Sequence, residues 1–310
     1  MNQSRSGGRP ARSRRAAGRA PDGLNTTRQP GDAAESGPSA WLFPLRTVDN
    51  LGRWIAVLVR RPRHRLPRVA LGAYVAVALA LAAIVTSMFL FDVAVSDWAR
   101  DLPASVTGPA DQITNLGRSG YFLYPLGFLV IGLAAVMRPS LPRMTQGVVA
   151  ALAARFGFLF LAIGTPSLFD TIAKRLIGRA RPYVGPVDDP FAYKPFIWRP
   201  EYASMPSGHA TTAAAAAIAI GAIWPRARPV MWLYAVIIFA SRVVVHVHHP
   251  SDVVAGGFVG VIGALMVRRW FAARGLVFGA GDLRAFAGPS RRRLKAAARS
   301  LVGWPPKPRR

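Results

Sequence analysis

The residues best suited to chemistry fall in three short stretches. The first contains Lys174, Arg175, Gly178, Arg179, Arg181 and Pro182. The second is Pro206, Ser207, Gly208 and His209. The third holds Ser241, Arg242, His246, His248, His249, Pro250, Ser251 and Asp252. All three sit where apolar runs begin or end. An ionisable group at that depth in a membrane is costly, so it is a functional candidate by default. Lys174 and Arg181 lie seven positions apart. That is almost two helical turns and would set both cations on one side of a helix that Pro182 ends. Such a pair suits an anion, although a helix end resting on lipid head groups looks the same. Ser207 and Gly208 stand where a helix would start, and free backbone N–H groups at a positive dipole end bind phosphate oxygens. The Ser207 hydroxyl has two uses there, capping the helix or donating to a ligand. Gly208 lets the backbone come close to that ligand, and His209 sits in the first turn beside it. Arg242 adds a third cation. Asp252 follows His248 by four positions, across a turn marked by Pro250. A carboxylate near a histidine fixes its tautomer and leaves the other ring nitrogen free to attack. His246 and His249 have no such spacing and read as interface or turn residues, and His64, among arginines, reads as surface.

Apolar runs must position these stretches. The chain has 310 residues, 52% of them hydrophobic, and a positive mean hydropathy. That exceeds a usual soluble domain and implies several membrane spans. The net charge is +26, from 40 Lys and Arg against 14 Asp and Glu. Such a balance suits nucleic acid, anionic lipid or the cytoplasmic face of a membrane. Here the basic residues gather at both ends and between the apolar runs, and no nucleic-acid-binding motif is present, so a nucleic-acid partner is not expected. With no cysteine, disulfides and cysteine–zinc sites are excluded.

In chain order, residues 1–40 are rich in Arg, Gly, Ser, Pro and Ala without an apolar period, and read as a disordered basic tail. Residues 41–68 mix Trp41, Trp54 and Ile55 with Arg53, Arg60, Arg61, Arg63 and Arg65. They suit either an interfacial segment on an anionic surface or a plain stop-transfer flank. Six spans follow within 69–272: about 69–90, 121–136, 148–172, 208–224, 230–247 and 253–267. Arg155 falls inside the third, where it either snorkels or marks a later start. Gly256, Gly257, Gly260 and Gly263 give the sixth span a small face for close helix packing. Residues 273–310 form a second basic tail. The fold expected is all-α, a bundle of six transmembrane helices with the active site at the extracytoplasmic helix ends. An even number of spans puts both termini on one side, and the arginines flanking the first and sixth spans place that side in the cytoplasm. The cations of the loop from about 173 to 207 oppose this assignment, unless some of them hold a phosphate.

The three stretches together resemble the type 2 phosphatidic acid phosphatase superfamily, whose site vanadium-dependent haloperoxidases share. The pattern Lys-x6-Arg-Pro runs from Lys174 to Arg181 and Pro182. Pro-Ser-Gly-His is Pro206 to His209, and Ser-Arg-x5-His-x3-Asp is Ser241, Arg242, His248 and Asp252. The resemblance covers about residues 70–270, without departure in order or spacing. It implies that His248 is the nucleophile that takes the phosphoryl group, that Asp252 orients it, and that His209 is the general acid for the leaving oxygen. Lys174, Arg181, Arg242, Ser207 and the Gly208 N–H would hold the non-bridging oxygens. A cationic cradle of this kind can stabilise phosphoryl transfer without a metal, and the family uses neither metal nor cofactor.

The function expected is therefore a multi-pass phosphatase of the inner (plasma) membrane acting on a lipid phosphate monoester or diphosphate. Phosphatidic acid, phosphatidylglycerol phosphate and undecaprenyl diphosphate are candidate substrates. A membrane lipid is the expected partner, with the basic tails on an anionic surface; oligomeric state cannot be read from these residues. A phosphotransferase would use the same motifs. A haloperoxidase is opposed by six spans, and a non-catalytic lipid-phosphate binder or transporter is opposed by the intact histidines and Asp252. The loop from Tyr183 to Tyr202, with Phe191, Phe196 and Trp198, either borders the entrance or is a rigid connector.

Overall fold

Backbone polar groups inside lipid must be satisfied within the segment that carries them, so the apolar runs become helices. The computed structural model describes residues 42–185, 189–281 and 283–302. The stretch 1–40, read above as a disordered tail, and the proline-rich C-terminal end lie outside these residues. Among the described residues the chain is all-helical, with two isolated bridges and no strand. The helices are α1 (Leu42–Val59), α2 (Leu71–Leu90), α3 (Asp92–Arg100), α4 (Ala104–Thr114), α5 (Gly120–Val136), α6 (Arg143–Ile177), α7 (Gly208–Ile223), α8 (Arg228–Val244), α9 (Pro250–Ala273) and α10 (Arg291–Val302).

Among the described residues, five helical stretches are long and apolar enough to cross a membrane: Leu71–Leu90, Ala104–Val136, Arg143–Ile177, Pro225–Val244 and Pro250–Ala273. Gly208–Ile223 is apolar but shorter. Most side chains of this helix, α7, are buried, because it packs against α6, α8 and α9 at the centre of the bundle. Its alanines permit that. The six apolar runs expected from sequence thus become α2, α5, α6, α7, α8 and α9. Residues 91–119 form α3, α4 and a 3-10 turn at Asn115–Gly117, elements without a strong apolar period.

Close approach of α7 and α9 fixes the centre. The missing side chains of Gly256 and Gly260 matter there: a Cβ on Gly256 would strike the Ser207 carbonyl, and one on Gly260 the Thr211 carbonyl. A Cβ on Gly263 would come 2.6 Å from Pro166 of α6, and one on Gly257 would come 3.1 Å from the Phe239 ring of α8. The glycine face of the sixth apolar run is therefore in contact with three helices at once.

The two ends of the bundle differ. At one end, the N–H groups of Arg63 and His64 bond the Ala273 carbonyl, and Trp270 Nε1 donates to Leu58 O at 3.0 Å. Asn50 Nδ2 of α1 bonds Ala134 O and Met137 O there, both at 2.9 Å. At the other end lie Asp92, Arg179 and Ser251, joined by hydrogen bonds. α9 spans the two, 24 residues and about 36 Å long at 1.5 Å per residue. The basic segments before α2 and after α9 share the first end; the three chemical stretches share the second.

Two features were not foreseen. Arg155 is not at a helix start. It lies within α6, buried, and its guanidinium donates to Ala151 O and Phe286 O at 2.9 Å and Ala287 O at 3.1 Å. The segment after α9 folds back over α6 to supply two of those carbonyls. Lys174 and Arg181 also do not share a helix face. α6 ends at Ile177, because Gly178 takes a left-handed conformation (φ 65°) and its N–H caps Lys174 O at 3.0 Å. That is a glycine C-cap, and it stops the helix before Pro182 can. Arg181 therefore reaches the site from an extended segment.

Gly260→Ala tests the α7–α9 contact. The new methyl must displace backbone rather than a flexible side chain, and overpacking of this kind costs about 1–3 kcal/mol. A clearly lower thermal transition in detergent is expected; an unchanged one would contradict the packing described.

Candidate active site

The turn between α8 and α9 carries His248 and His249. His249 is the N-cap of α9, with its ring accepting from the Asp252 N–H while the Asp252 carboxylate accepts from the His249 N–H at 3.0 Å. This capping box forces Asp252 back toward the turn. The His249 Nδ1 also lies 3.0 Å from Ser96 Oγ of α3, so this histidine is a buried turn residue. His248, one position earlier, is also buried, and its Nδ1 stands 3.6 Å from Asp252 Oδ2. That is an ion-pair distance rather than a hydrogen bond. Catalytic contacts of this type commonly tighten when substrate binds.

Asp252 is held from several sides. Its Oδ1 receives Arg179 at 2.5 Å, and its Oδ2 receives the Ser204 hydroxyl at 2.5 Å. Arg179 is fully buried. Its other bonds go to Asp92 Oδ2 at 2.7 Å, Ser251 Oγ at 2.7 Å and Pro190 O at 2.9 Å. Burial works against the Arg179 charge, but Asp252 and Asp92 outweigh it and hold its pKa above the ordinary value. Asp92 also accepts the Ser251 N–H and hydroxyl. A chain of charge thus runs from Asp92 through Arg179 to Asp252 and on to His248.

The His248 pKa is pushed down to about 3. Burial is the main cause, and the charges of Arg242 and Arg181 add to it; the contact with Asp252 opposes both. The imidazole is consequently neutral near pH 7, the form in which a ring nitrogen can attack.

The helix start of α7 faces this turn. Ser207 is its N-cap, yet the Ser207 hydroxyl makes no capping bond. The Ser207 N–H instead donates to Asp252 O at 3.0 Å, which ties the start of α7 to the start of α9. Of the two uses expected for this hydroxyl, capping is not seen. Among the described residues, the buried Ser207 Oγ, Arg181 Nε and Arg242 Nε have no hydrogen-bond partner. Arg242 is held in place by its bond to Thr114 Oγ1 of α4 at 2.7 Å. Buried donors of this kind are rarely left unsatisfied, and the charges of Arg181 and Arg242 both act on His248, an arrangement that suits an anion.

A cavity of about 700 Å³ opens beside them, lined by Gly208 and His209 of α7, Asp170 and Lys174 of α6, and Arg118, Tyr121 and Tyr124 around the start of α5. Lys174 Nζ is paired with Asp170 Oδ2 at 2.7 Å, and Asp170 also accepts from Thr211 Oγ1 at 3.2 Å. Arg242, His248, Lys174 and Arg118 all lie within Coulombic range of His209. His209 and Lys174 therefore stand on the cavity wall, while Ser207, Arg242, His248 and Asp252 lie buried behind it. The structure brings every expected site residue to this end of the bundle. Among the described residues, no three His, Asp or Glu side chains gather as a metal-binding group.

Three residues of the site were not singled out from sequence, Asp92, Asp170 and Ser204, and Arg179 was named within the first stretch without a role. Asp92 and Asp170 had a signal, since each is a carboxylate within a strongly apolar run, which is costly unless it is used. Asp170 also precedes Lys174 by one helical turn, the spacing of a side-chain pair.

The imidazole of His248 is expected to stay neutral from pH 7 to pH 5. Histidine-selective 15N NMR of the protein in detergent measures this. A midpoint near the ordinary value of 6.5 would contradict the burial described.

Known proteins carry the same pattern. A family model described as the PAP2 superfamily matches residues 155–276, which include all the expected site residues. The lipid A 1-phosphatase of Rhizobium johnstonii is 32% identical over 198 residues, covering 64% of this chain and 80% of that protein. The decaprenylphosphoryl-5-phosphoribose phosphatase of Mycobacterium tuberculosis is 30% identical over 164 residues, 53% of this chain and 82% of that one. Among solved structures, the PAP2-type phosphatidylglycerolphosphate phosphatase of Bacillus subtilis is 20% identical, with a TM-score of 0.40, over 72% of this chain and 94% of that one. At 32% identity across four-fifths of a phosphatase relative, the chain belongs to the PAP2 superfamily.

Proposed function

We propose that this protein is a metal-independent lipid phosphatase that releases phosphate from a lipid monoester or diphosphate through a phosphohistidine on His248. One observation carries this reading: buried donors on Ser207, Arg181 and Arg242 have no partner among the described residues, and the charges of both arginines act on a neutral histidine held near a carboxylate. A phosphate placed among them is charge-stabilised before the reaction begins. His248 attacks the phosphorus in line, the bond to the ester oxygen breaks, and His209, which takes up a proton together with the anionic substrate, gives that oxygen its proton. His209 then takes a proton from water as the water attacks phosphohistidine, which frees phosphate and restores both rings. The Asp92–Arg179–Asp252 chain fixes the position of His248 during both steps.

The cavity supports a lipid substrate. It lies between the start of α5 and the end of α6, with Tyr121 and Tyr124 exposed at its mouth. Below it, the outer faces of the same helices expose Phe128 and Leu168. Aromatic residues of this type favour the membrane interface. A head group can therefore enter sideways while its tails stay among apolar side chains. The basic end of the bundle belongs in the cytoplasm by the positive-inside rule, so both termini are cytoplasmic. The site then faces the exterior or periplasm of a cell's inner membrane, with six crossings. Names of the relatives suggest glycolipid and polyprenyl phosphates as substrates to try first.

Phosphate release by the purified protein, in detergent with excess EDTA, is expected from at least one lipid phosphate. His248→Ala should abolish it, a loss of several orders of magnitude as for other covalent catalysts, whereas His246→Ala should retain most of it. Loss of activity in EDTA that added metal restores, or full turnover by His248→Ala, would refute the mechanism. Turnover that requires an added lipid alcohol would instead identify a phosphotransferase.

A further inference from the structure

We infer that Arg118 forms a second anion subsite on the leaving-group side of the site, so that the preferred substrate is a lipid diphosphate whose leaving group is itself a phosphate. This inference rests on the phosphatase reading above and narrows its substrate.

Gly117 fixes where Arg118 must be. A Cβ on Gly117 would lie 2.8 Å from Ile238 and 3.0 to 3.1 Å from the ring and Cβ of His209. Only a glycine lets the Asn115–Gly117 turn press against that histidine. The next residue, Arg118, is thereby carried to the mouth of the cavity, which it lines together with His209. Its charge lies within Coulombic range of both His209 and Arg242.

His209 defines the side from which the leaving oxygen departs, and the cavity continues from it toward Tyr121 and Tyr124. A cation placed there does not touch the scissile phosphoryl group, which already has Lys174, Arg181 and Arg242. It faces the first group beyond the breaking bond. Among the described residues Arg118 forms no ion pair with a carboxylate. The only carboxylate on the cavity wall, Asp170, is engaged by Lys174. A second feature favours an anion at the same place. Ser119 and Gly120, the first residues of the 17-residue helix α5, also line the cavity, and a helix start carries partial positive charge.

A neutral alcohol gains nothing from such a position. A lipid phosphate as leaving group does. His248 would attack the terminal phosphorus, the anhydride P–O bond would break, and the bridging oxygen would depart with the lipid-linked phosphate after protonation by His209. Arg118 would hold that phosphate, binding a charge that is already present in the substrate.

The test compares a polyprenyl diphosphate with the monophosphate of the same chain. The wild type is expected to favour the diphosphate in kcat/KM. Arg118→Gln should lower kcat/KM for the diphosphate about ten- to hundredfold more than for the monophosphate, the worth of one charge-assisted hydrogen bond. Arg118→Lys should recover part of that difference. Equal losses on the two substrates, or a wild-type preference for the monophosphate, would overturn the subsite. A binding measurement separates failure of this inference from failure of the phosphatase reading. Calorimetry should show methylenediphosphonate binding more tightly than methylphosphonate to the wild type, and the difference should vanish in Arg118→Gln. Equal affinities in the wild type would reject the subsite even if monophosphates are hydrolysed. A preference without turnover of any lipid would reject the phosphatase and retain the subsite.

Discussion

Arg179 is the constraint on which this site depends. It is a guanidinium with no exposure, set between Asp92 and Asp252 and bonded to Ser251 and Pro190. An unpaired charge there would be prohibitive, and even a paired one returns its desolvation cost only if its geometry is nearly complete. Here the planar fork makes that possible, which a lysine could not match. The bonds join three separate parts of the chain: the start of α3, the extended segment after α6, and the start of α9. Removing any one would leave buried charge uncompensated in the others. The same bonds hold Asp252 in the place from which it acts on His248.

A second constraint is the close contact of α7 with α9. Glycines at 256 and 260 bring the α9 backbone against the carbonyls of Ser207 and Thr211. The contact sets the α7 start, with its free N–H groups and Ser207, directly against the turn that carries His248. A polar site can then be assembled from helices that are otherwise apolar. Its charged groups lie at the ends of α6 and α8 and the starts of α7 and α9. Burial lowers the His248 pKa while the surrounding arginines supply the charge a phosphate needs. One environment thus keeps His248 neutral and favours an anion beside it.

Much of this site was legible in the sequence, because its chemistry is local. Ser207, Gly208 and His209 are adjacent, and His248 and Asp252 sit one helical turn apart, so spacing alone revealed their relation. The apolar runs were legible as helices for the same reason, since twenty apolar residues have few other uses. Asp92 was not, because it meets Arg179 across 87 positions and no periodicity links them. The end of α6 was misread because Pro182 was weighed and Gly178 was not, although a glycine before a basic segment is itself a stop signal. The partners of Arg155, the carbonyls of Phe286 and Ala287, come from a segment with no local signal to fold back. For Asp92 and Arg155 what was missed is a contact between distant parts of the chain, which only packing creates.

The central claim is that His248 becomes covalently phosphorylated. Rapid mixing of the protein with substrate, quenching in base to preserve phosphohistidine, and mass spectrometry of the peptides would test it most directly. The account predicts a phosphoryl group on His248, appearing before phosphate is released and decaying as release proceeds. A phosphoryl group on His209 or His246, or sustained turnover with no phosphorylated histidine at any time, would contradict it.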